Sequence, residues 1–166
     1  IHDRLKDYGA CFGEVIGWER ANWFLPEAEK QAGKRATYEY SWKRQNWFDY
    51  SASEHRAIRE TVGMFDLSSF GKIKVVGKDA EVVMQLIASN DVAVPDGKIV
   101  YTQFLNEQGH IEADVTVTRL SAEEFLVVTP AATVRRDLHW INGHIPDGAN
   151  CFAFDITVSE AVMAVM

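Results

Sequence analysis

The segment from Val100 to Leu120 constrains the fold more than any other part of the sequence. Val100 to Leu105 and His110 to Leu120 read as strands, and Asn106-Glu-Gln-Gly109 between them is a four-residue turn that begins with asparagine and ends with glycine. This pattern predicts an antiparallel hairpin. This hairpin is the strongest local prediction that the sequence offers.

The second strand of this hairpin alternates between apolar and polar residues. A period of two places one set on one face, Ile111, Ala113, Val115 and Val117, and the other set on the opposite face, His110, Glu112, Asp114, Thr116 and Thr118. The polar set fits the wet outer face of a half-buried sheet. It also fits the wall of a polar cavity, in which a carboxylate flanked by threonines accepts protons or holds a cation and Tyr101 of the paired strand stacks on a flat ligand.

The patterns on either side of the hairpin complete a coarse fold. Helices are predicted from Ser53 to Gly63, from Asp79 to Ile87 and from Pro130 to about Gly143, and strands over Lys72–Gly77, Phe125–Thr129 and Cys151–Ile156. Consecutive strands with short turns, and helices inserted between groups of strands, indicate an α+β domain with a mostly antiparallel sheet and flanking helices.

The first third of the chain, through about Ser53, is unusually aromatic and lacks clear periodicity. Within it Arg20-Ala-Asn-Trp-Phe24 recurs as Arg44-Gln-Asn-Trp-Phe48. The purely structural interpretation is that two similar aromatic anchors hold an irregular segment against a domain surface. The functional one is a strap between domains, because exposed aromatic side chains are costly unless another surface covers them.

Composition narrows the classes of function. The chain has 166 residues and a net charge of −7, which disfavours nucleic acid and anionic membranes as partners, and no apolar run approaches the length of a membrane span. Its two cysteines, Cys11 and Cys151, are predicted to be buried thiols, and its five histidines lack metal-ligand spacing, so no metal site is expected. Gly-x-Ser-x-Gly, His-Glu-x-x-His, P-loop and Gly-x-Gly-x-x-Gly motifs do not occur.

Several ordered motifs resemble the folate-binding domain of the aminomethyltransferase (glycine-cleavage T-protein) family. They are Val62–Ser68, Gly71–Gly77, Ser89–Val92 and Tyr101–Thr118, and the likeness spans roughly Asp49 to Met166. Glu112–Val117 and Gly17–Phe24 resemble more narrowly the C-terminal part of FAD-dependent dimethylglycine and sarcosine dehydrogenases. The resemblance implies a strap over residues 1–52 that follows a flavin domain, and the first part of a folate-binding domain over residues 53–166, truncated at Met166.

In that family an N-methyl amine is oxidised to an iminium, and tetrahydrofolate captures the one-carbon unit as 5,10-methylenetetrahydrofolate. The resemblance places Asp114 at the functional aspartate, close to the reacting folate nitrogens, and Tyr101, Thr116 and Thr129 at the pterin pocket. His110 departs from the commoner Gly-Gly pair of the family. FAD belongs by this resemblance to the upstream domain and is not bound by this chain, which carries a partial folate site that is inactive in isolation.

Two other functions stay open at this stage. One is a regulatory or assembly module on the same fold, without transfer chemistry, and the other is a folate-dependent aminomethyltransferase or a demethylase of a sulfur or methoxy substrate. The expected compartment is the cytoplasm in a bacterium or the mitochondrial matrix in a eukaryote, and the expected partners are folate, an N-methyl amine and a covalently linked flavin domain.

Overall fold

The computed structural model describes every residue from Ile1 to Met166 and confirms the α+β class. In chain order the elements are α1 (His2–Asp7), β1 (Ala10–Val15), β2 (Trp18–Phe24), α2 (Glu27–Gln31), α3 (Phe48–Glu60), β3 (Met64–Asp66), β4 (Gly71–Val76), α4 (Ala80–Ile87), β5 (Ile99–Leu105), β6 (Ile111–Ser121), β7 (Glu124–Thr129), α5 (Val134–Gly143), β8 (Phe152–Asp155) and β9 (Met163–Val165). None of the helices has the length and apolar character that crossing a membrane requires.

The chain divides into two compact units. The first comprises Ile1–Asp66 and Met163–Met166, and the second comprises Leu67–Val162. In the first unit β1 pairs with β2 and β3 pairs with β9, both antiparallel. The predicted boundary after residue 52 separates a strap from a folate-binding domain. Because the two units are defined by contacts and not by function, this boundary stays a prediction.

The β1–β2 hairpin corrects the prediction of an irregular first third. Its two-residue turn is Ile16-Gly17, and both residues have positive φ, 52° and 77°. Turns of this kind usually carry Asn-Gly, because a β-branched residue rarely adopts positive φ. The sequence therefore lacks the Asn-Gly pair from which this hairpin could have been predicted.

Aromatic side chains form the core of the first unit. Trp23 is buried beside Cys11 and Leu25. Its ring stacks on Tyr50 with centroids 5.1 Å apart, and Trp47 packs against the same cluster. Helix α3 consequently begins at Phe48, five residues before the predicted start, since packing of Trp47 and Tyr50 adds a turn that no capping residue marks. In contrast, Tyr40 and Trp42 are fully exposed. The strap between domains that residues 1–52 are expected to form stays a prediction.

The second unit is a five-stranded sheet with the strand order β5-β6-β7-β4-β8, in which all neighbours are antiparallel. Its core lies on one face, where apolar residues of α4 and α5 cover the strands. The buried set includes Ile73, Val75, Val83, Met84, Phe104, Val115, Val117, Phe125, Val127 and Ile141. Helix α4 presents Ala80, Val83, Met84 and Ile87 inward at the predicted spacing. The opposite face of the sheet carries the polar residues of the hairpin.

Candidate functional site

The predicted hairpin exists, and its register sets the candidate site. β5 and β6 pair so that Tyr101 lies opposite Thr116 and Gln103 lies opposite Asp114. The alternation also holds: Ala113, Val115 and Val117 of β6 are buried on the helix-covered face. Asp114 is exposed and Thr116 is half-buried on the other face. The structure therefore brings Tyr101, Asp114 and Thr116 together on one face of the hairpin.

The carboxylate of Asp114 is held by two side chains of the neighbouring strand. The hydroxyl of Tyr101 donates to Asp114 Oδ2 over 2.9 Å, and the amide of Gln103 donates to Oδ1 over 3.1 Å. No motif in the sequence marks Gln103 as a site residue. Counting outward from the predicted turn would have paired Gln103 with Glu112. A register shift between Phe104 and Leu105 places Gln103 opposite Asp114 instead, on the same side of the sheet.

The hydrogen bond to Asp114 raises the pKa of the Tyr101 phenol above its ordinary value, with smaller contributions in the same direction from desolvation and from the carboxylate's charge. The Gln103 amide lowers the pKa of the phenol and so opposes them. Tyr101 accordingly keeps its proton at neutral pH and acts as a donor. Tyr101 as a residue is 60% exposed, and its ring offers a flat surface beside the carboxylate.

A loop fixes the backbone of β5, which is an edge strand of the sheet. The Asn90 side-chain amide donates to the carbonyl oxygen of Tyr101 over 2.8 Å. The backbone amide and hydroxyl of Ser89 both donate to the carbonyl oxygen of Gln103, over 3.0 and 2.7 Å. These bonds satisfy edge groups that no other strand pairs, and they anchor both residues that hold Asp114.

Thr129, the fourth predicted site residue, is directed to the other side of the sheet. It is buried at the end of β7, and its hydroxyl donates to the buried carboxylate of Asp137 in α5. Thr133 donates to the same oxygen over 2.7 Å, and Arg136 forms a salt bridge with the other one at 3.1 Å. The structure therefore does not group the Thr129 hydroxyl with Tyr101, Asp114 and Thr116, and its place in a pterin pocket stays a prediction.

The turn of the hairpin keeps a regular geometry despite His110. Gly109 adopts φ of +79°, and the side-chain oxygen of Asn106 accepts a bond from the His110 backbone amide at 3.0 Å. Beside this turn lies a cavity of about 560 Å³, bordered by the turn, Trp140 and His144. Tyr101, Asp114 and Thr116 do not line it. The candidate site is thus an open face of the sheet, and the cavity is separate from it.

The arrangement suits a flat ligand that carries protonated nitrogens. An exposed ring can stack on such a ligand, a fixed carboxylate can accept its proton, and a hydroxyl can bond to its edge. Both cysteines lie outside this face and are buried, as predicted. No three metal-ligating side chains are grouped anywhere in the chain.

Comparison with known proteins identifies the family of this chain. The model of the GCVT N-terminal domain matches residues 1–166. A 4-methylaminobutanoate oxidase (formaldehyde-forming) of Paenarthrobacter nicotinovorans is 46% identical over 100% of this chain and 19% of its own length. The mitochondrial sarcosine dehydrogenase of Homo sapiens is 34% identical over 73% of this chain and 15% of its own.

A relative of another kind also matches. The mitochondrial pyruvate dehydrogenase phosphatase regulatory subunit of Mus musculus is 31% identical over 95% of this chain and 18% of its own length. Among solved structures, the glycine cleavage system aminomethyltransferase T from Bartonella henselae superposes with a TM-score of 0.77, at 21% identity, over 99% of this chain and 38% of its own. This chain thus spans under a fifth of these three curated relatives. With its whole length matched, the chain belongs to the GCVT N-terminal domain family.

Proposed function

We propose that this domain is the folate-binding part of an FAD-dependent N-methyl amine dehydrogenase that passes a one-carbon unit to tetrahydrofolate. One observation carries the proposal. On the open face of the sheet, the exposed Tyr101 donates to the carboxylate of Asp114, and Thr116 lies opposite Tyr101 on the same face. The kinship of the chain with an N-methylamino acid oxidase along its whole length supports the choice of substrate class.

The residues of this face fit tetrahydrofolate. The pterin of tetrahydrofolate is flat and carries N–H groups. Two amine nitrogens of tetrahydrofolate attack the methylene carbon of the iminium in turn. The demethylated amine then leaves, and 5,10-methylenetetrahydrofolate forms. The exposed ring of Tyr101 would stack on the pterin. Asp114 would accept the proton that an attacking nitrogen loses, and it would stabilise positive charge before that loss. Thr116, opposite Tyr101, would bond to the pterin edge.

FAD would be held outside this chain, which contains no Gly-x-Gly-x-x-Gly motif. The amine would then be oxidised in one part of the protein, and the one-carbon unit would be captured in another. The two steps can therefore be impaired separately, and this separation gives the proposal its test.

The test compares the full-length protein with its Asp114→Asn variant. N-methyl amino acids such as 4-methylaminobutanoate and sarcosine are supplied with tetrahydrofolate, and reduction of an electron acceptor, free formaldehyde and 5,10-methylenetetrahydrofolate are measured. We expect Asp114→Asn to slow formation of the folate product about a hundredfold, the lower end of the usual rate loss when a general base is removed. Amine oxidation should stay within about twofold of the parent rate. Formaldehyde should then accumulate.

A matched control is Glu123→Gln, which also replaces one exposed carboxylate by an amide but lies in the β6–β7 turn. It should leave both rates unchanged. Equal loss of oxidation and transfer in Asp114→Asn would count against the role assigned to this carboxylate.

The second candidate is a regulatory or assembly module without transfer chemistry, favoured by the similarity to a phosphatase regulatory subunit. Titration calorimetry of tetrahydrofolate into the full-length protein separates the two functions. Saturable heat that Tyr101→Ala weakens supports the folate enzyme. A folded protein that gives no heat favours the module.

A further inference from the structure

We propose that Gln103 is a positioning residue that fixes the orientation of the Asp114 carboxylate, an inference that rests on the folate-transfer function proposed above. The two residues face each other across the β5–β6 pair, and the amide of Gln103 donates to Asp114 Oδ1 over 3.1 Å. Gln103 acts through Asp114, and the structure gives it no direct part in proton transfer.

The geometry explains why one donor is insufficient. Tyr101 donates only to Oδ2, so that bond alone would let the carboxylate turn about its Cβ–Cγ bond, a broad and soft torsion. A second donor on Oδ1 defines the plane of the carboxylate. Each oxygen accepts more than one hydrogen bond, so both can still receive a proton from a ligand on the exposed side.

The chemistry of the pair also assigns the direction of the Gln103 amide. An ionised carboxylate only accepts hydrogen bonds, so the NH₂ group must face Asp114 and the carbonyl oxygen must face away. A glutamate at this position would have the same shape and no proton to donate. It would also place a second negative charge directly opposite Asp114, an arrangement that destabilises cross-strand pairs.

The main chain of Gln103 is fixed as firmly as its side chain. Its carbonyl oxygen accepts two bonds from Ser89, at 3.0 and 2.7 Å, on the outer edge of the sheet. The backbone of Gln103 is thus held on the outer edge of the sheet, and its side-chain amide donates to the Asp114 carboxylate of the neighbouring strand.

The test uses the full-length protein and two variants of Gln103. Gln103→Met keeps the length of the side chain without a donor, and Gln103→Glu keeps its shape with the opposite hydrogen-bonding character. Gln108→Met in the hairpin turn is the matched control for replacing an exposed glutamine. The measurements are kcat for 5,10-methylenetetrahydrofolate formation, the rate of amine oxidation, the Kd of tetrahydrofolate by calorimetry, and crystal structures of the parent protein and Gln103→Met.

We expect Gln103→Met to lower kcat for transfer about tenfold, and Gln103→Glu to lower it further, because a misoriented group loses transition-state stabilisation without losing binding. The Kd of tetrahydrofolate and the rate of amine oxidation should stay within about twofold by the same reasoning. In crystals of Gln103→Met the carboxylate of Asp114 should turn away from its parental orientation or occupy several orientations.

Three results would overturn the inference. Transfer in both variants could equal that of the parent protein. The Kd could rise by the same factor by which transfer falls, which would make Gln103 a direct folate ligand. Finally, the Asp114 carboxylate could keep its orientation in Gln103→Met crystals. A parent protein that forms no 5,10-methylenetetrahydrofolate would refute the proposed function instead, and the crystal comparison would then decide the role of Gln103 alone.

Discussion

The side-chain amide of Asn90 donates to the main-chain oxygen of Tyr101 over 2.8 Å, on the outer edge of the sheet. A loop residue thereby fixes the strand position from which Tyr101 reaches Asp114. Ser89–Val92 was part of the family resemblance, and the structure supplies a physical reason for an asparagine there: its amide replaces the hydrogen bond of a missing neighbouring strand.

Asn90→Ala should therefore weaken folate binding without touching the ligand face. The expected loss is about 1 kcal/mol of stability, typical of one hydrogen bond, together with a rise of the tetrahydrofolate Kd by a few fold as the Tyr101 ring becomes mobile. Calorimetry and thermal unfolding of the full-length protein measure both. Asn142→Ala, on the exposed side of α5, is the control, and an Asn90→Ala protein that binds tetrahydrofolate like the parent would contradict the link to Tyr101.

Thr129→Val tests whether the residue serves the fold or the ligand. Its hydroxyl donates to the buried Asp137 carboxylate, so its loss should cost about 1–3 kcal/mol, the range for a buried bond to a charged group. With the hydroxyl on the helix-covered face, we expect the Kd of tetrahydrofolate to change less than about twofold, since no ligand contact is removed. A large rise in Kd at unchanged stability would instead support its predicted place at the pterin pocket.

Glu54 provides a prediction about pH. Burial raises the pKa of this carboxyl above its ordinary value, and the Phe24 backbone amide, which donates to it over 2.8 Å, partly offsets the shift. Because the pKa of the folded state is the higher one, the contribution of Glu54 to stability is complete below its unfolded pKa. It is lost as the pH rises through the raised folded value.

Glu54→Gln keeps an acceptor for Phe24 and removes the desolvated charge. We expect the variant to be at least as stable as the parent at pH 7, and to lose part of that relative advantage at pH 4, where the parent carboxyl is protonated in the fold. Urea unfolding of the 166-residue chain at the two pH values checks the difference, with Glu60→Gln, an exposed glutamate of the same helix, as control. An advantage that grows as the pH falls would reverse the assigned sign.

The two thiols should be unreactive in the folded chain. Burial raises the pKa of Cys11 and of Cys151, and both side chains are almost completely inaccessible. A thiol reagent requires the thiolate and access to it. Titration with a chromogenic disulfide should therefore modify neither cysteine at pH 8 until urea unfolds the chain, and rapid modification of either one in the native chain would refute this.

Local pattern was enough to predict the part of the fold where the period of the side chains is regular. The alternation in β6 predicted both the strand and the face of Asp114, and Ala80, Val83, Met84 and Ile87 predicted α4. Such segments bury one face, and the period of the backbone dictates which residues lie on it. The β1–β2 hairpin was not predicted because Ile16 occupies a turn position with positive φ, which an isoleucine does not indicate.

Periodicity and turn residues were enough to predict the hairpin and the polar face of β6, and the family resemblance named Tyr101, Asp114 and Thr116 as site residues. The long-range partners became known from the folded chain alone: Gln103 and Asn90 support this face, Thr129 bonds to Asp137, and β3 pairs with β9 from the far end of the chain. The physical reason is that periodicity fixes the side of a strand on which a residue lies. Its hydrogen-bond partner depends on strand register and on contacts between residues distant in the chain.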